Sequence, residues 1–146
     1  MKKAKPEVFI YIDGAARGNP GPAGAGIILK DGNKTVKEIH KYLGNTTNNV
    51  AEYSAAIVGL REAIALGYKN VALHMDSELV SQQLKGEYRV KDENMKVLFE
   101  KVITLVNSFD SVRIVKIDRE NNKEADKLAN KAINLSGLGP ASKIIG

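Results

Sequence analysis

Hydrophobic residues near the start of the chain follow the pattern of β-strands. Residues 8–12 are apolar at every position and rich in strand-forming types, which is typical of a central strand covered on both faces. Two further strands are predicted over residues 25–30 and 34–43, joined by a turn at residues 31–33. Between the first two strands, residues 17–22 hold two of the four prolines and predict a tight, irregular loop. Lysines in the third strand favour an edge position, because lysine discourages further strand pairing.

From residue 48 onwards the apolar spacing becomes that of helices alternating with short strands. The strongest helical periodicity covers residues 92–109. Another helix is predicted from Asn48 or Asn49, as the N-cap, to Gly67. Its apolar stripe consists of Ala56, Leu60, Ala63 and Ile64. The remaining predicted elements are strands over residues 71–75 and 112–117, a brief helix between Asp76-Ser77 and Gly86, and a last helix over residues 122–135.

The order of these elements predicts an α/β fold with a five-stranded mixed sheet. Three antiparallel strands come first, two parallel strands follow, and helices cover both faces. Right-handed crossovers place the strand that begins at Val8 beside the strand that begins at Val71. A chain of 146 residues supports one domain over residues 1–146, with a core of about 7–135 and a C-terminal tail over 136–146. Ile144 and Ile145 leave open whether that tail docks on the domain.

Composition narrows the class of protein without choosing a function. Hydrophobic residues make up 43% of the chain and charged residues 27%, which excludes fibrous, membrane-spanning and disordered proteins. The absence of cysteine excludes disulfides, thiolate metal sites and cysteine nucleophiles. A net charge of +5 suits a polyanionic partner but does not require one. No apolar run has the length of a signal or a membrane span, so we expect a cytoplasmic protein with no membrane partner.

Two aspartates end strands that the pattern places side by side. Asp13 follows the buried run at residues 8–12, and Asp76 follows the run at residues 71–75. Neighbouring strands lie about 4.8 Å apart, so two ionised carboxylates there would repel unless one were protonated or a cation lay between them. The alternative is that Asp13 begins an Asp-Gly turn and that Asp76 caps a helix.

Two further acids lie near the starts of predicted helices. Glu52 lies on the inward stripe of its helix, where an apolar residue is expected, although a capping box with Asn49 would explain it equally well. Asp126 lies in the first turn of the last helix, where an acid also complements the helix dipole. Each acid has a structural explanation by itself. However, all four lie at the ends of elements and can converge on one edge of the sheet, where open α/β sheets form their sites.

Four sequence blocks together resemble a known family. The blocks are Asp13-Gly14 with Gly18-Asn19-Pro20-Gly21, then Thr47-Asn48-Asn49-Val50-Ala51-Glu52, Asp76-Ser77-Glu78-Leu79-Val80, and Asn122-Lys123-Glu124-Ala125-Asp126. In order, spacing and local context they are similar to the motif blocks of type 1 ribonuclease H, over about residues 8–135. The short stretch at residues 117–122 lacks histidine, and residues 86–92 lead directly into the long helix. The resemblance is therefore to the variant without the histidine loop and the basic protrusion.

This resemblance implies a ribonuclease H-like fold and an endonuclease that hydrolyses the RNA strand of RNA/DNA hybrids. It implies that four carboxylates hold two Mg²⁺ ions about 3.5 to 4 Å apart, and that Mn²⁺ substitutes. One ion would activate the attacking water and the other would stabilise the leaving oxygen, which gives 5′-phosphate and 3′-hydroxyl ends. The implied catalytic and metal-binding residues are Asp13, Glu52, Asp76 and Asp126. Without a cation, at least one of these carboxyl groups should have a raised pKa.

The resemblance also implies residues that bind nucleic acid. Asn48 and Asn49 would read the minor groove, where RNA exposes the 2′-hydroxyl that DNA lacks. The alternative for both is helix capping. The full implied set is Gly14, Asn19, Thr47, Asn48, Asn49, Ser77, Glu78, Tyr88, Lys91 and Arg119.

Three members of this set either depart from the family pattern or have a second interpretation. Glu78 stands where relatives usually have glutamine, which puts one groove contact in doubt. Tyr88 would pack against the DNA strand with Lys91 nearby, or it would be an ordinary surface aromatic. Arg119 would face a phosphate in place of the missing histidine, or it would be a solvated loop arginine.

Two other classes of function remain open at this point. One is a catalytically weak hybrid-binding module, and the other is a different nuclease of the same superfamily, such as an exonuclease or a junction resolvase. The presence of all four acids argues against the first, and the paired asparagines before Glu52 argue against the second. Activity on double-stranded RNA also stays open. We expect a monomer.

Overall fold

The computed structural model describes residues 7–136. The five strands are β1 (Val8–Ala16), β2 (Gly21–Asp31), β3 (Lys34–Thr46), β4 (Asn70–Met75) and β5 (Ser111–Lys116). The helices are α1 (Asn48–Ala65), α2 (Glu78–Leu84), α3 (Glu93–Val106) and α4 (Lys123–Leu135), with a 3₁₀ turn at Arg119–Asn121.

The strands form one mixed sheet in the order β3-β2-β1-β4-β5. Strand β2 is antiparallel to both of its neighbours, β1 and β3, whereas β4 is parallel to both of its neighbours, β1 and β5. The predicted fold class is therefore confirmed, and so are the pairing of β1 with β4 and the edge position of β3. Strands β1 and β4 are adjacent and parallel, so their C-terminal ends lie at the same edge of the sheet.

Helices cover both faces of the sheet. Helix α1 packs on the face that carries the fully buried Ile10 and Ile12 of β1. Helix α4 packs on the opposite face, across β2 and β1. A Cβ atom at Gly26 of β2 would lie 2.1 Å from the carbonyl oxygen of Ala125, so α4 can approach the sheet this closely only over glycine. This close packing brings the N-terminal turn of α4 next to the end of β1.

Several predicted boundaries are wrong, and for β1 and β2 the reason is that the ladder hydrogen bonds extend further than the apolar runs. Strand β1 continues through Asp13 to Ala16, which pairs with Ala23 of β2. Strand β2 begins at Gly21, inside the predicted loop, and it pairs there with Thr46 at the end of β3. The periodic helix, α3, is shorter than the predicted range, and the buried Phe109 lies beyond its end.

The predicted N-terminus and stripe of α1 also need correction. The N-cap is Thr47, whose hydroxyl oxygen accepts a hydrogen bond from the backbone N–H of Val50, and not Asn48 or Asn49. Ile64 was expected on the inward stripe but is 39% exposed, whereas the adjacent Ala63 is fully buried, so the inward face of the helix passes through Ala63 and not through Ile64.

Among residues 7–136, no helix is both long enough and apolar enough to cross a membrane. The tail from residue 137 onwards, with Ile144 and Ile145, lies outside the described residues. Its docking therefore stays a question raised by the sequence.

Candidate active site

Three acidic side chains meet at the end of the central strands. Asp13 lies in β1, Asp76 follows β4, and Glu52 lies in the second turn of α1 where that helix crosses β1. Each offers one carboxylate oxygen, and these three oxygens lie within 4.8 Å of one another. Asp13 and Glu52 are buried, with 6% and 3% of their surface exposed, whereas Asp76 is half-buried. Glu52 and Asp76 follow Asp13 by 39 and 63 positions along the chain. The three residues nevertheless form one cluster, which we call the carboxylate cluster.

Gly14 fixes Glu52 in this cluster. Its backbone N–H donates a hydrogen bond of 3.1 Å to Oε1 of Glu52. A Cβ atom at Gly14 would lie only 2.3 Å from the backbone carbonyl carbon of Ala51 and from the backbone nitrogen of Glu52. The glycine after Asp13 is therefore required for close packing between a strand and a helix, and the alternative of an Asp-Gly turn is wrong.

The capping alternatives for two acids are also wrong. Glu52 accepts from Gly14 on another element, so it does not close a capping box with Asn49. The N-cap of α2 is Ser77, which accepts from Val80 N–H, rather than Asp76. Asp126 does lie in the first turn of α4, as both of its interpretations require.

Burial and mutual repulsion perturb the acids strongly. Burial raises the pKa of Asp13 far above its usual range, and the charges of Glu52 and Asp76 and a side-chain contact with Asp126 raise that pKa further. Burial also raises the pKa of Glu52, against the lowering effects of the Gly14 hydrogen bond and the positive charge of Arg119. The direction of both pKa values agrees with the rise expected from the sequence. An ionised cluster is thus unfavourable unless positive charge is added.

The donor atoms suit a divalent metal ion. Oε2 of Glu52 is buried and has no hydrogen-bond partner among the described residues, which leaves it available to a cation. All donors in the carboxylate cluster are oxygens, the ligands that Mg²⁺ and other hard cations prefer. Asp126 contacts Asp13 but does not belong to the set of three mutually close oxygens. Asp13, Glu52 and Asp76 could therefore hold a metal, with Asp126 beside them.

Sequence reasoning assigned no role to Asn122, and the structure places it in the site. Its side-chain Nδ2 donates to the backbone carbonyl of Ile12 at 2.8 Å and to Oδ2 of Asp76 at 2.9 Å. The residue is only 2% exposed. Its presence in the fourth motif block was the available signal, but the position before a helix suggested an ordinary helix start.

Four of the predicted nucleic-acid contacts surround the start of α1. Asn19 lies in the loop after β1, and its Oδ1 accepts from the backbone N–H of Asn48 at 3.1 Å. Oδ1 of Asn48 in turn accepts from the backbone N–H of Ala16 at 3.1 Å. Thr47 is the N-cap, and Asn49 follows Asn48 in the first turn. These polar residues therefore join the β1–β2 loop to the helix that carries Glu52.

Three further predicted contacts lie in the segments that follow β4 and β5. Ser77 caps α2, and Glu78 begins this helix with an exposed side chain that accepts from Gln82 Nε2 at 3.2 Å. Arg119 is exposed on the 3₁₀ turn. Its charge lowers the pKa of Glu52, so it lies close enough to act on the cluster.

Tyr88 and Lys91 lie beyond α2, in the segment that leads to α3. Tyr88 is 49% exposed, and Lys91 is exposed. Tyr88 lines an open groove of about 580 Å³ together with Arg89, Lys96 and Phe99. Glu87 and Glu100 also line this groove, so it combines apolar, basic and acidic groups.

Comparison with known proteins assigns this arrangement to a family. Residues 11–132 match the model of a family described as reverse transcriptase-like. The crystal structure of RNase H1 from the halophilic archaeon Halobacterium salinarum superposes with a TM-score of 0.85 at 39% sequence identity, covering 88% of this chain and 98% of that chain. The chain belongs to the ribonuclease H1 family. The resemblance of the motif blocks to type 1 ribonuclease H is thereby confirmed.

Two other solved structures superpose with the same TM-score. The structure of LC11-RNase H1 in complex with an RNA/DNA hybrid has a TM-score of 0.85 and 41% identity, covering 89% of this chain and 99% of that one. The N-terminal RNase H domain of Rv2228c from Mycobacterium tuberculosis has a TM-score of 0.85 and 38% identity over 87% of this chain and 98% of that one.

Some relatives in this ribonuclease H1 family are longer than the chain. The bifunctional protein Rv2228c of Mycobacterium tuberculosis is 37% identical over 93% of this chain, but the match spans only 38% of that protein. Ribonuclease HI of Halobacterium salinarum is 39% identical over 87% of this chain, and the match spans 64% of that protein.

Proposed function

We propose that the chain is an endoribonuclease that hydrolyses the RNA strand of RNA/DNA hybrids and leaves 5′-phosphate and 3′-hydroxyl ends. The observation that carries this proposal is the carboxylate cluster, in which three acids from separate elements bring oxygens within 4.8 Å of one another. The similarity to LC11-RNase H1, which was crystallised with an RNA/DNA hybrid, supports the choice of substrate. Membership of the ribonuclease H1 family supports hydrolysis of a phosphodiester bond.

Two Mg²⁺ ions, or Mn²⁺ in their place, would supply an activated water and a stabilised leaving oxygen when bound. In this proposal Asp13 is the central ligand, because it contacts the other three acids electrostatically or directly. Glu52 offers its unpartnered Oε2 on one side. Asp76 and Asp126 complete the set on the other side, where Asp126 has a side-chain contact with Asp13.

Recognition of RNA is proposed to rest on Asn48 and Asn49 at the start of α1. The amide oxygen of Asn48 is occupied by Ala16 N–H, so its amide N–H groups remain to donate to the minor groove. Asn19 and Thr47 would contact the DNA backbone, and Gly14, Ser77 and Glu78 would lie along the groove. A 2′-hydroxyl can both accept and donate, which is how such a surface distinguishes RNA from DNA.

The DNA strand is proposed to lie along the groove beside Tyr88. The exposed tyrosine ring offers a packing surface, and Lys91 offers a charge for a phosphate. Arg119 would face a phosphate near the cluster, consistent with its effect on the pKa of Glu52. Both histidines of the chain, His40 and His74, lie in strands β3 and β4, which supports assignment to the variant without a histidine loop.

A panel of end-labelled substrates tests the proposal. The panel contains an RNA/DNA hybrid, duplex RNA, duplex DNA and single strands, each with and without Mg²⁺. We expect internal cleavage of the hybrid RNA only with the metal ion; stepwise shortening from one end would instead indicate an exonuclease. Activity on duplex RNA is measured in the same panel. We further propose a cytoplasmic monomer, which a sedimentation measurement and fractionation of cells would test.

A matched pair of variants separates catalysis from binding. Asp76→Asn should bind the hybrid but lose cleavage, because it removes one ligand charge from the carboxylate cluster. Asp110→Asn makes the same chemical change at an exposed position after α3 and should cleave normally. If the unaltered chain bound hybrid without cleaving it, the chain would be a binding module.

A further inference from the structure

Asn122 does not make the capping hydrogen bond that is usual for an asparagine before a helix. An asparagine at the N-cap normally accepts a hydrogen bond from a backbone N–H of the first turn. Asn122 occupies the N-cap of α4 but makes no such side-chain bond. Its side chain instead turns inward, where Nδ2 donates to Ile12 and Asp76.

This inward orientation is unfavourable for folding by itself. Oδ1 of Asn122 is buried and has no hydrogen-bond partner among residues 7–136. A buried acceptor without a partner destabilises the folded state relative to one exposed to water. The two hydrogen bonds that Nδ2 donates therefore hold the side chain in a position that a normal helix cap would not give it.

A different interaction positions each member of the carboxylate cluster. Asp13 is fixed by the ladder of β1, and Glu52 is fixed by Gly14 N–H. Asp76 is half-buried and lies just after β4, outside the ladder. Within residues 7–136, the only side chain that donates a hydrogen bond to its carboxylate is Asn122.

Asn122 makes hydrogen bonds to three of the elements that form the site. Its Nδ2 reaches the carbonyl of Ile12, which directly precedes Asp13. Its own backbone carbonyl accepts from the N–H of Asp126 at 3.1 Å. One residue thus links the middle of β1, the residue that follows β4 and the first turn of α4.

From this geometry, and resting on the proposed metal-dependent function, we infer that Asn122 is a positioning residue for Asp76. Holding Oδ2 fixes the plane of the carboxylate and therefore the direction of its second oxygen. Without the amide, Asp76 would rotate away from Asp13 and Glu52, since like charges repel. In this inference Asn122 acts on metal binding through Asp76, the ligand that it orients.

A double-mutant cycle on metal binding tests this inference. Mn²⁺ affinity is measured by titration calorimetry for the unaltered chain, Asn122→Ala, Asp76→Ala and the double variant. We expect Asn122→Ala to weaken Mn²⁺ binding about 10-fold, at the low end for residues that orient a metal ligand. In the Asp76→Ala background the same change should have less than about a 2-fold effect, because the residue it orients is gone. The exposed neighbour Asn121, changed to alanine, is the matched control.

Each result of the cycle has one meaning. An unchanged affinity in Asn122→Ala, or an equal loss in both backgrounds, would overturn the inference. Failure of the unaltered chain to bind Mn²⁺ would instead overturn the proposed function.

A second measurement does not depend on whether Asn122→Ala folds. The side-chain amide hydrogens of Asn122 should exchange with solvent at least about 10-fold more slowly than those of Asn121, because they are buried and hydrogen-bonded. Asp76→Ala should shift the Asn122 side-chain resonances and leave those of Asn121 in place. Equal exchange of the two asparagines, or no shift in Asp76→Ala, would show that Asn122 does not hold Asp76.

Discussion

Gly14 and Glu52 are joined by a hydrogen bond of 3.1 Å from the backbone N–H of the glycine to the carboxylate of the glutamate. The same two residues are also packed backbone to backbone, because a Cβ atom at Gly14 would lie 2.3 Å from the nitrogen of Glu52. The distance between β1 and α1 at this point is therefore set by the absence of a side chain. The position of Glu52 in the carboxylate cluster depends on that distance.

The first prediction concerns Gly14→Ala. The added methyl group must push α1 away from β1, so we expect a loss of about 1 to 3 kcal/mol in the free energy of unfolding, as for other overpacked cores. Mn²⁺ affinity should fall as well, because Glu52 moves with the helix. Denaturant unfolding and calorimetry measure the two effects. Gly32→Ala is the control, since its positive φ of 63° strains the backbone but nothing lies within 4 Å of an added Cβ. A loss of Mn²⁺ affinity in this control would contradict the explanation.

The second prediction concerns Glu52→Gln. The amide oxygen can still accept from Gly14 N–H, whereas the negative charge beside Asp13 is removed. We therefore expect a higher melting temperature without metal at pH 8 and, on the proposed function, hybrid cleavage reduced at least about 100-fold. Glu100→Gln, on an exposed position of α3, should change neither property. A lower melting temperature for Glu52→Gln would contradict net repulsion within the cluster.

The third prediction concerns pH. Asp13 and Glu52 have raised pKa values in the folded state, above ordinary values of 3.8 and 4.5. The folded protein therefore binds more protons than the unfolded chain once pH exceeds these ordinary values, and its stability falls as pH rises. Without metal, Asp13→Asn should lose less stability between pH 5 and pH 8 than the unaltered chain, as measured by denaturant unfolding in a chelator.

A related prediction concerns the stabilisation of the protein by Mg²⁺ at two pH values. The ion binds ionised carboxylates, so it should raise the stability of the unaltered chain more at pH 8 than at pH 5. In Asp13→Asn this difference should be smaller. Equal stabilisation by Mg²⁺ at both pH values would contradict the assignment of the carboxylate cluster as the binding site.

The fourth prediction separates Tyr88 from Lys91. On the proposed function, Lys91→Ala should weaken hybrid binding and reduce the slope of log affinity against log salt by about 1, since one phosphate contact is lost. Tyr88→Ala should weaken binding with little change in that slope, because a ring packs without charge. The measurement is hybrid affinity over a range of salt concentrations.

Lys34→Ala is the control for this comparison. Lys34 begins β3 at the hairpin, at the end of the sheet away from Asp13, and its loss should leave affinity nearly unchanged. An equal change of slope for Tyr88→Ala and Lys91→Ala would remove the distinction between stacking and charge.

The sequence by itself determined the architecture of this protein. Apolar runs and helical periodicity depend on local burial, so they predicted five strands, four helices and the parallel pairing of β1 with β4. The acids stood out because Asp13 ends a buried apolar run and Glu52 lies on a helical stripe that would otherwise be apolar. Motif order then predicted the ribonuclease H1 family.

Only the tertiary structure decided how the site is held together. Asp13-Gly14 looks like a turn in sequence, yet Gly14 is the point at which α1 contacts β1. Asn122 looks like a helix start, yet its amide joins Ile12 to Asp76. These roles depend on contacts between residues 38, 46 and 110 positions apart, and no local pattern records such distances. Burial can be predicted from a residue and its neighbours along the chain, whereas a hydrogen-bond partner is known only once the chain has folded.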